Sequence, residues 1–279
     1  MKKLISLALI LATVCWVKDD APALPSAAKP KGVLVDRAAV ALFDRSSKFY
    51  GECKTIRLRW TTRDESPSPD NAQKPTVTTI VFVRPSLSKV EIKNGLVPRA
   101  VSLVDGKFFW ALANVSSALT TYSKEHLNKD ETPLENSLLN LVFGTNNPGM
   151  IFYNWLGGKH ELQSEQIKLM QEPHFNMMYF VATKLAPSNW KGRSWERVQI
   201  RERLCPQEDA EIADYDVNED AVFNRIYWLA PDNARLVKME ELDAQGKVVF
   251  IHEIVEQTFN IAIPASIFVF KIPKGARKE

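Results

Sequence analysis

The chain has 279 residues, 45% of them hydrophobic, enough for one large domain with a sizeable core, which excludes a mini-protein that needs covalent staples. Its 36 Lys and Arg are interspersed with 33 Asp and Glu for a net charge of +3, so there is no basic stripe of the kind that binds nucleic acid by counterion release. The three cysteines, Cys15, Cys53 and Cys205, are too widely spaced for a metal knuckle.

At the N-terminus Lys2 and Lys3 precede an apolar run over 4–17, which Lys18, Asp19 and Asp20 stop. The run is short of the about twenty residues a membrane span needs, so it reads as an export signal cut near Ala21-Pro22-Ala23. This gives a signal peptide over 1–23, a flexible linker rich in Pro, Ala and Lys over 24–34, and a single domain over 35–279. Lipid anchoring at Cys15 is the weaker alternative, because Val14 stands where a lipoprotein signal places Gly, Ala or Ser. With the signal removed, Cys53 and Cys205 remain as an even pair in an oxidising compartment, where a disulfide and two free buried thiols are both open readings.

Val35, Ala38, Ala39, Leu42, Phe43, Ser46 and Phe49 recur at spacings of three and four, which predicts an amphipathic helix over 35–50 with Asp36 in its first turn. Residues 53–61 then alternate, Ile56, Leu58 and Trp60 against Thr55, Arg57, Arg59 and Thr61, the pattern of a half-buried strand. After a polar loop over 64–75 come predicted strands 76–84, 89–93, 100–104 and 107–112, the last two joined by Asp105-Gly106, a tight-hairpin signal. Consecutive hairpins make an antiparallel meander, unlike the alternating strands and helices of a Rossmann or barrel enzyme.

The middle differs. Thr132-Pro133 and Asn147-Pro148 open predicted helices over 134–143 and 149–156, and a third spans 161–171. Their apolar residues, Leu138, Phe152 and Trp155 among them, exceed one packed stripe, which fits helices covering a cavity as well as ordinary core packing. Strands resume at 175–183, 194–204, 222–229, 236–242, 247–259 and 267–272. The fold class is thus α+β and mainly antiparallel β, about eleven strands and four helices in a sheet that must curl around something.

Leu58, Trp60, Ile80, Phe82, Trp110, Met178, Phe180, Ile226, Trp228 and Phe250 fall on alternate positions of successive strands. They make either the wall of an apolar cavity, where each buried methylene of a ligand contributes about 0.8 kcal/mol, or a filled core. Chemistry is hard to find: there is no Gly-x-Ser-x-Gly, His-Glu-x-x-His, phosphate loop or Cys-x-x-Cys. His252, beside Phe250 and Ile254, fits a satisfied core residue better than a base. Asp214, Asp216, Glu219 and Asp220 lack the glycine of a calcium loop. No catalytic residue, metal or cofactor is expected.

The order of segments resembles the periplasmic outer-membrane lipoprotein carrier superfamily and the related lipoprotein-sorting-like proteins. Four landmarks carry the likeness: the helix followed by a long strand; Val81-Phe82-Val83-Arg84-Pro85 leading into Lys89-Val90-Glu91-Ile92; Leu103-Val104-Asp105-Gly106-Lys107-Phe108-Phe109-Trp110; and a C-terminal half with Ile226-Tyr227-Trp228-Leu229 and the ending Phe268-Val269-Phe270-Lys271-Ile272-Pro273-Lys274-Gly275-Ala276. The resemblance implies a periplasmic, monomeric binding protein without a cofactor, built as a curved, unclosed β-barrel whose concave apolar face is covered by short helices. It implies an acyl chain, lipid or lipoprotein anchor in the hollow, with a membrane-bound donor or acceptor protein as partner. Arg84 is implied as the gate that hydrogen-bonds the lid, while alternation alone puts it on the face of Ile80 and Phe82 at the rim, where snorkelling to water is the alternative. The enlarged helical middle and the acidic loop over 207–220 depart from the carriers proper, so lipoproteins as the specific cargo do not follow. A sensor or scaffold on the same fold, and a hydrolase with unfamiliar site residues, are the competing functions.

Overall fold

A computed structural model describes residues 32–65, 74–94, 99–114, 119–127, 162, 167–168, 177–204 and 222–278. In chain order these form β1 (Gly32–Val35), α1 (Arg37–Glu52), β2 (Thr55–Asp64), β3 (Thr76–Val83), β4 (Leu87–Lys93), β5 (Arg99–Asp105), β6 (Phe108–Asn114), β7 (Thr120–His126), β8 (Met177–Trp190), β9 (Arg193–Leu204), β10 (Val222–Leu229), β11 (Leu236–Leu242), β12 (Val248–Phe259), a 3₁₀ turn (Ala265–Phe268) and β13 (Arg277–Lys278).

All thirteen strands lie in one sheet, ordered β1-β8-β9-β10-β11-β12-β2-β3-β4-β5-β6-β7-β13. Two antiparallel meanders, β2 to β7 and β8 to β12, are stitched together by the antiparallel pair β12–β2. β1 and β13 add in parallel at the two edges, and the edges do not meet, so the barrel is unclosed.

Helix α1 explains the curvature. It must carry the chain from β1 at one edge to β2, six strand spacings away, about 29 Å if the sheet were flat. Its 16 residues reach about 24 Å, so it lies across the strands and they wrap around it. Asp36 starts it: the carboxylate accepts a hydrogen bond from Ala38 N at 2.8 Å, and Asp36 N donates to Ala182 O, fixing the helix entry against β8. Ala39, Leu42, Phe43, Ser46 and Tyr50 form its buried face. That face shares one contiguous core with β2, β3, β4 and β8 to β12, and with Leu162. At the helix end the Tyr50 hydroxyl accepts from Leu236 N at 3.2 Å, and burial pushes that hydroxyl well above its usual ionisation range.

Three sequence expectations are corrected here. Asp36 is the cap of α1 and not a residue of its first turn, because it holds extended backbone while its side chain closes the helix. Residues 267–272 alternate like a strand but form the end of the 3₁₀ turn and an unpaired segment, with Phe268 buried against β4 and β5. The chain also has strands at β1, β7 and β13 that its hydrophobic pattern does not announce: β7, Thr-Thr-Tyr-Ser-Lys-Glu-His, is mostly polar and is paired to β6 by its backbone. The predicted helices over 134–143 and 149–156 lie outside the described residues.

Candidate apolar ligand site

Register defines the inner face of the sheet strand by strand. From β8 to β3 it presents large side chains, among them Phe180, Ile200, Tyr227, Met239, Trp60, Leu58, Ile80 and Phe82, all in the core that α1 shares. Phe43 of α1 meets Tyr227 edge to face, with ring centroids 5.3 Å apart. Beyond β4 the character changes. Ile92 pairs with Ala100, Ala100 with Ala113 and Ala113 with Thr121, while Val90 pairs with Ser102, Ser102 with Ala111 and Ala111 with Ser123. Ala100 is the last of these in the shared core, and Ser102, Ala111, Ala113 and Ser123 are only half-buried. Strand spacing is set by backbone hydrogen bonds whatever the side chains, so small residues lower the wall and leave depth in front of it.

Only Val104 and Phe109, at the Asp105-Gly106 end, are large and buried on this inner face, so the rest of the wall is held from outside. On the outer face of β5 and β6, Val101, Leu103 and Leu112 are buried, and Phe270 stacks on Trp110 with centroids 4.7 Å apart. Asp105 locks the hairpin: its Oδ1 accepts from Lys107 N at 2.9 Å and Phe108 N at 2.7 Å, and its Oδ2 accepts from Trp110 Nε1 at 2.9 Å. Burial works against ionisation of this carboxyl, but those hydrogen bonds and the charge of Lys124 together hold it below the usual carboxylate range.

Of the expected wall residues, Leu58, Trp60, Ile80, Phe82 and Phe180 are in the α1 core, and Phe250 is half-buried on the same inner face, stacked on His252. Trp110, Ile226 and Trp228 are on the opposite face. Trp110 pairs with Leu103, and Trp228 packs with Trp195, Val237 and Trp190 while donating from Nε1 to Glu240 at 2.8 Å. The reason is parity: Phe108-Phe109-Trp110 and Ile226-Tyr227-Trp228 are unbroken apolar runs, and the inner positions are Phe109 and Tyr227. Leu138, Phe152, Trp155, the acids over 214–220 and the side chain of Met178 lie outside what is described.

Arg84 follows β3 in the turn to β4. Its Nε donates to Cys53 O at 2.9 Å, its Nη2 to Tyr50 O at 3.0 Å, and its guanidinium lies 5.2 Å from the Phe82 ring centroid. It therefore adds a side-chain donor to the Cys53 and Tyr50 carbonyls at the end of α1, the second of which also accepts the capping Cys53 N. The buried Cys53 thiol is free, its Sγ 3.2 Å from Phe49 O, and burial raises its ionisation point; Cys205 is outside the described residues.

Fold and face together define an unclosed, curved, antiparallel barrel with a helix seated in its concave side, the architecture that the family resemblance implies. No protein-family model and no curated protein matches the sequence. Among solved structures, an uncharacterised conserved protein from Thermus thermophilus is similar at 11% identity and a TM-score of 0.46, over 87% of this chain and 99% of its own. The Pseudomonas aeruginosa MucA/MucB complex is similar at 9% and 0.43, over 84% of this chain and 61% of the matched one. A LolA superfamily protein from Nitrosomonas europaea is similar at 12% and 0.32, over 83% and 97%. These likenesses are of fold alone.

Proposed function

We propose that the protein is an exported envelope carrier that holds an acyl chain, free or as a lipid or lipoprotein anchor, in the hollow before the inner wall of β5 to β7. One observation supports this reading most: the inner face turns from large, α1-packed side chains to Ser102, Ala111, Ala113 and Ser123, which are neither large nor fully buried. A tail of about ten methylenes placed there would gain roughly 8 kcal/mol before ordering costs, from area alone and without any charged contact. Reactive groups add nothing to such binding, so the reading is one of carriage and not catalysis. Arg84 ties the end of α1 to the rim of β3, a place from which a gate would act.

Gentle purification of the exported protein followed by mass spectrometry of extracted lipid tests this. A near-stoichiometric acyl ligand is expected. Lipid-free protein that instead brings down a stoichiometric protein partner would overturn carriage in favour of a signal-binding scaffold.

A further inference from the structure

On the inner face of the neighbouring strands, polar groups run diagonally across five adjacent strands: Glu202 of β9, Arg225 of β10, Glu241 of β11, His252 of β12 and Thr62 of β2, with Glu202 one inner position from the line of Arg225 and Glu241, and that line one inner position from His252 and Thr62. Arg225 Nη1 is 3.2 Å from Glu202 Oε1, and Arg225 is the cross-strand partner of Glu241. His252 is 1% exposed; its Nδ1 is 2.9 Å from Thr62 Oγ1 and its Nε2 3.2 Å from Glu241 Oε1. Neither that Nε2 nor that Oε1 completes a directed hydrogen bond. The side chains of Glu202 and Glu241 are 20% and 22% exposed, but Glu241 Oε1 is itself buried beside His252, so the solvent-facing part of the row is the remainder of the two acids.

The row sits at a particular height. Trp60, Thr78, Ile92, Ala100, Ala113 and Thr121 are successive cross-strand partners, one continuous inner line that ends in the small-residue wall. Thr62 is the next inner position beyond Trp60, so the polar row borders the same end of the barrel as that wall. An amphipathic ligand with its tail along the wall has its head at this end or the other, and here buried polar atoms lack partners.

We propose that this row seats the ligand's polar head and selects headgroups that donate hydrogen bonds and carry no net negative charge, an inference that rests on the carrier reading above. Two carboxylates face one guanidinium, so an anionic head would meet like charge where solvent screening is poor. A hydroxyl or amine instead can donate to the partly exposed Glu202 and Glu241 carboxylates, a charge-assisted bond.

The test uses the purified exported protein and phosphatidylcholine vesicles with a radiolabelled trace of dioleoylglycerol, dioleoylphosphatidic acid or squalene, measuring label transferred to protein. Wild type should favour dioleoylglycerol over the phosphatidic acid by at least about tenfold, and Glu241→Gln should cut that preference to within about threefold. Should E241Q fail to fold, Glu202→Gln is read in the same way. Equal uptake of the two oleoyl lipids by wild type, or a preference that E241Q keeps, as a merely trapped water at these atoms would give, overturns the headgroup site. Squalene uptake would then still leave the carrier reading standing. Transfer of none of the three overturns both.

Discussion

From β8 round to β3 the inner side chains are large and share their core with α1, whereas from β5 to β7, apart from Val104 and Phe109 at the hairpin end, they are small and the packing moves to the outer face, under Phe268 and Phe270. The two regions belong to one continuous sheet with the same strand spacing, so what differs is only where apolar bulk has been placed. Bulk on the inside fills the barrel and stabilises it; bulk on the outside stabilises the wall and leaves the inside free. The largest effect expected from this contrast is at Phe43, fully buried in α1 against Tyr227. Phe43→Ala should cost about 3–5 kcal/mol in urea denaturation, as a core truncation does. A loss under about 1 kcal/mol would mean that α1 is a detachable lid and that the supposed filled half is open as well.

Enlarging the small wall sharpens the same contrast from the other side. Ala111→Leu combined with Ala113→Leu adds bulk where depth is proposed, displacing about two methylenes of a bound tail, which predicts a loss of lipid uptake of about tenfold. Folding stability should move by less than about 1 kcal/mol, since overpacking costs more than that only where space is already occupied. A stability loss of about 2 kcal/mol with unchanged uptake would show a solid wall.

How far this architecture could be read in advance depended on how each segment is stabilised. The period of Ala39, Leu42, Phe43 and Ser46 and the alternation of Ile56, Leu58 and Trp60 mark helix and strand because one face of each is buried, and the structure agrees within a few residues. Asp105-Gly106 was legible as a hairpin because the turn needs positive φ, and Gly106 has φ 89°. β7 was not, since its pairing uses backbone groups that every residue has. Trp110, Ile226 and Trp228 lie on the outer face, which the sequence does not announce because three consecutive apolar residues carry no parity. The small wall does carry a signal in the sequence, since Ala100 and Ser102, Ala111 and Ala113, Thr121 and Ser123 alternate as regularly as the large residues do, but small residues leave no hydrophobic period. The polar row escaped for another reason, as its members come from five strands and only the sheet order brings them together.

The smallest effect concerns the outer brace of the thin wall and has a pH signature. Asp105 accepts from Phe108 N, Lys107 N and Trp110 Nε1, and its carboxyl lies below the usual range in the fold, so the unfolded chain binds the proton more readily. A depressed carboxyl contributes stability above its unfolded value, 3.8, and loses that contribution as pH falls through the folded value. Asp105→Asn should therefore cost about 1 kcal/mol near neutral pH, a figure kept low because the site is partly solvated. The gap to wild type should close as the pH is lowered past 3.8, measured by urea midpoints over a series of falling pH values. A gap that stays constant would assign the brace to the shape of the Asp105 turn and not to its charge, and would place the support of the wall in the Trp110–Phe270 stack. Lipid uptake by D105N at neutral pH should be retained, because the residue braces the wall from the side the tail does not touch.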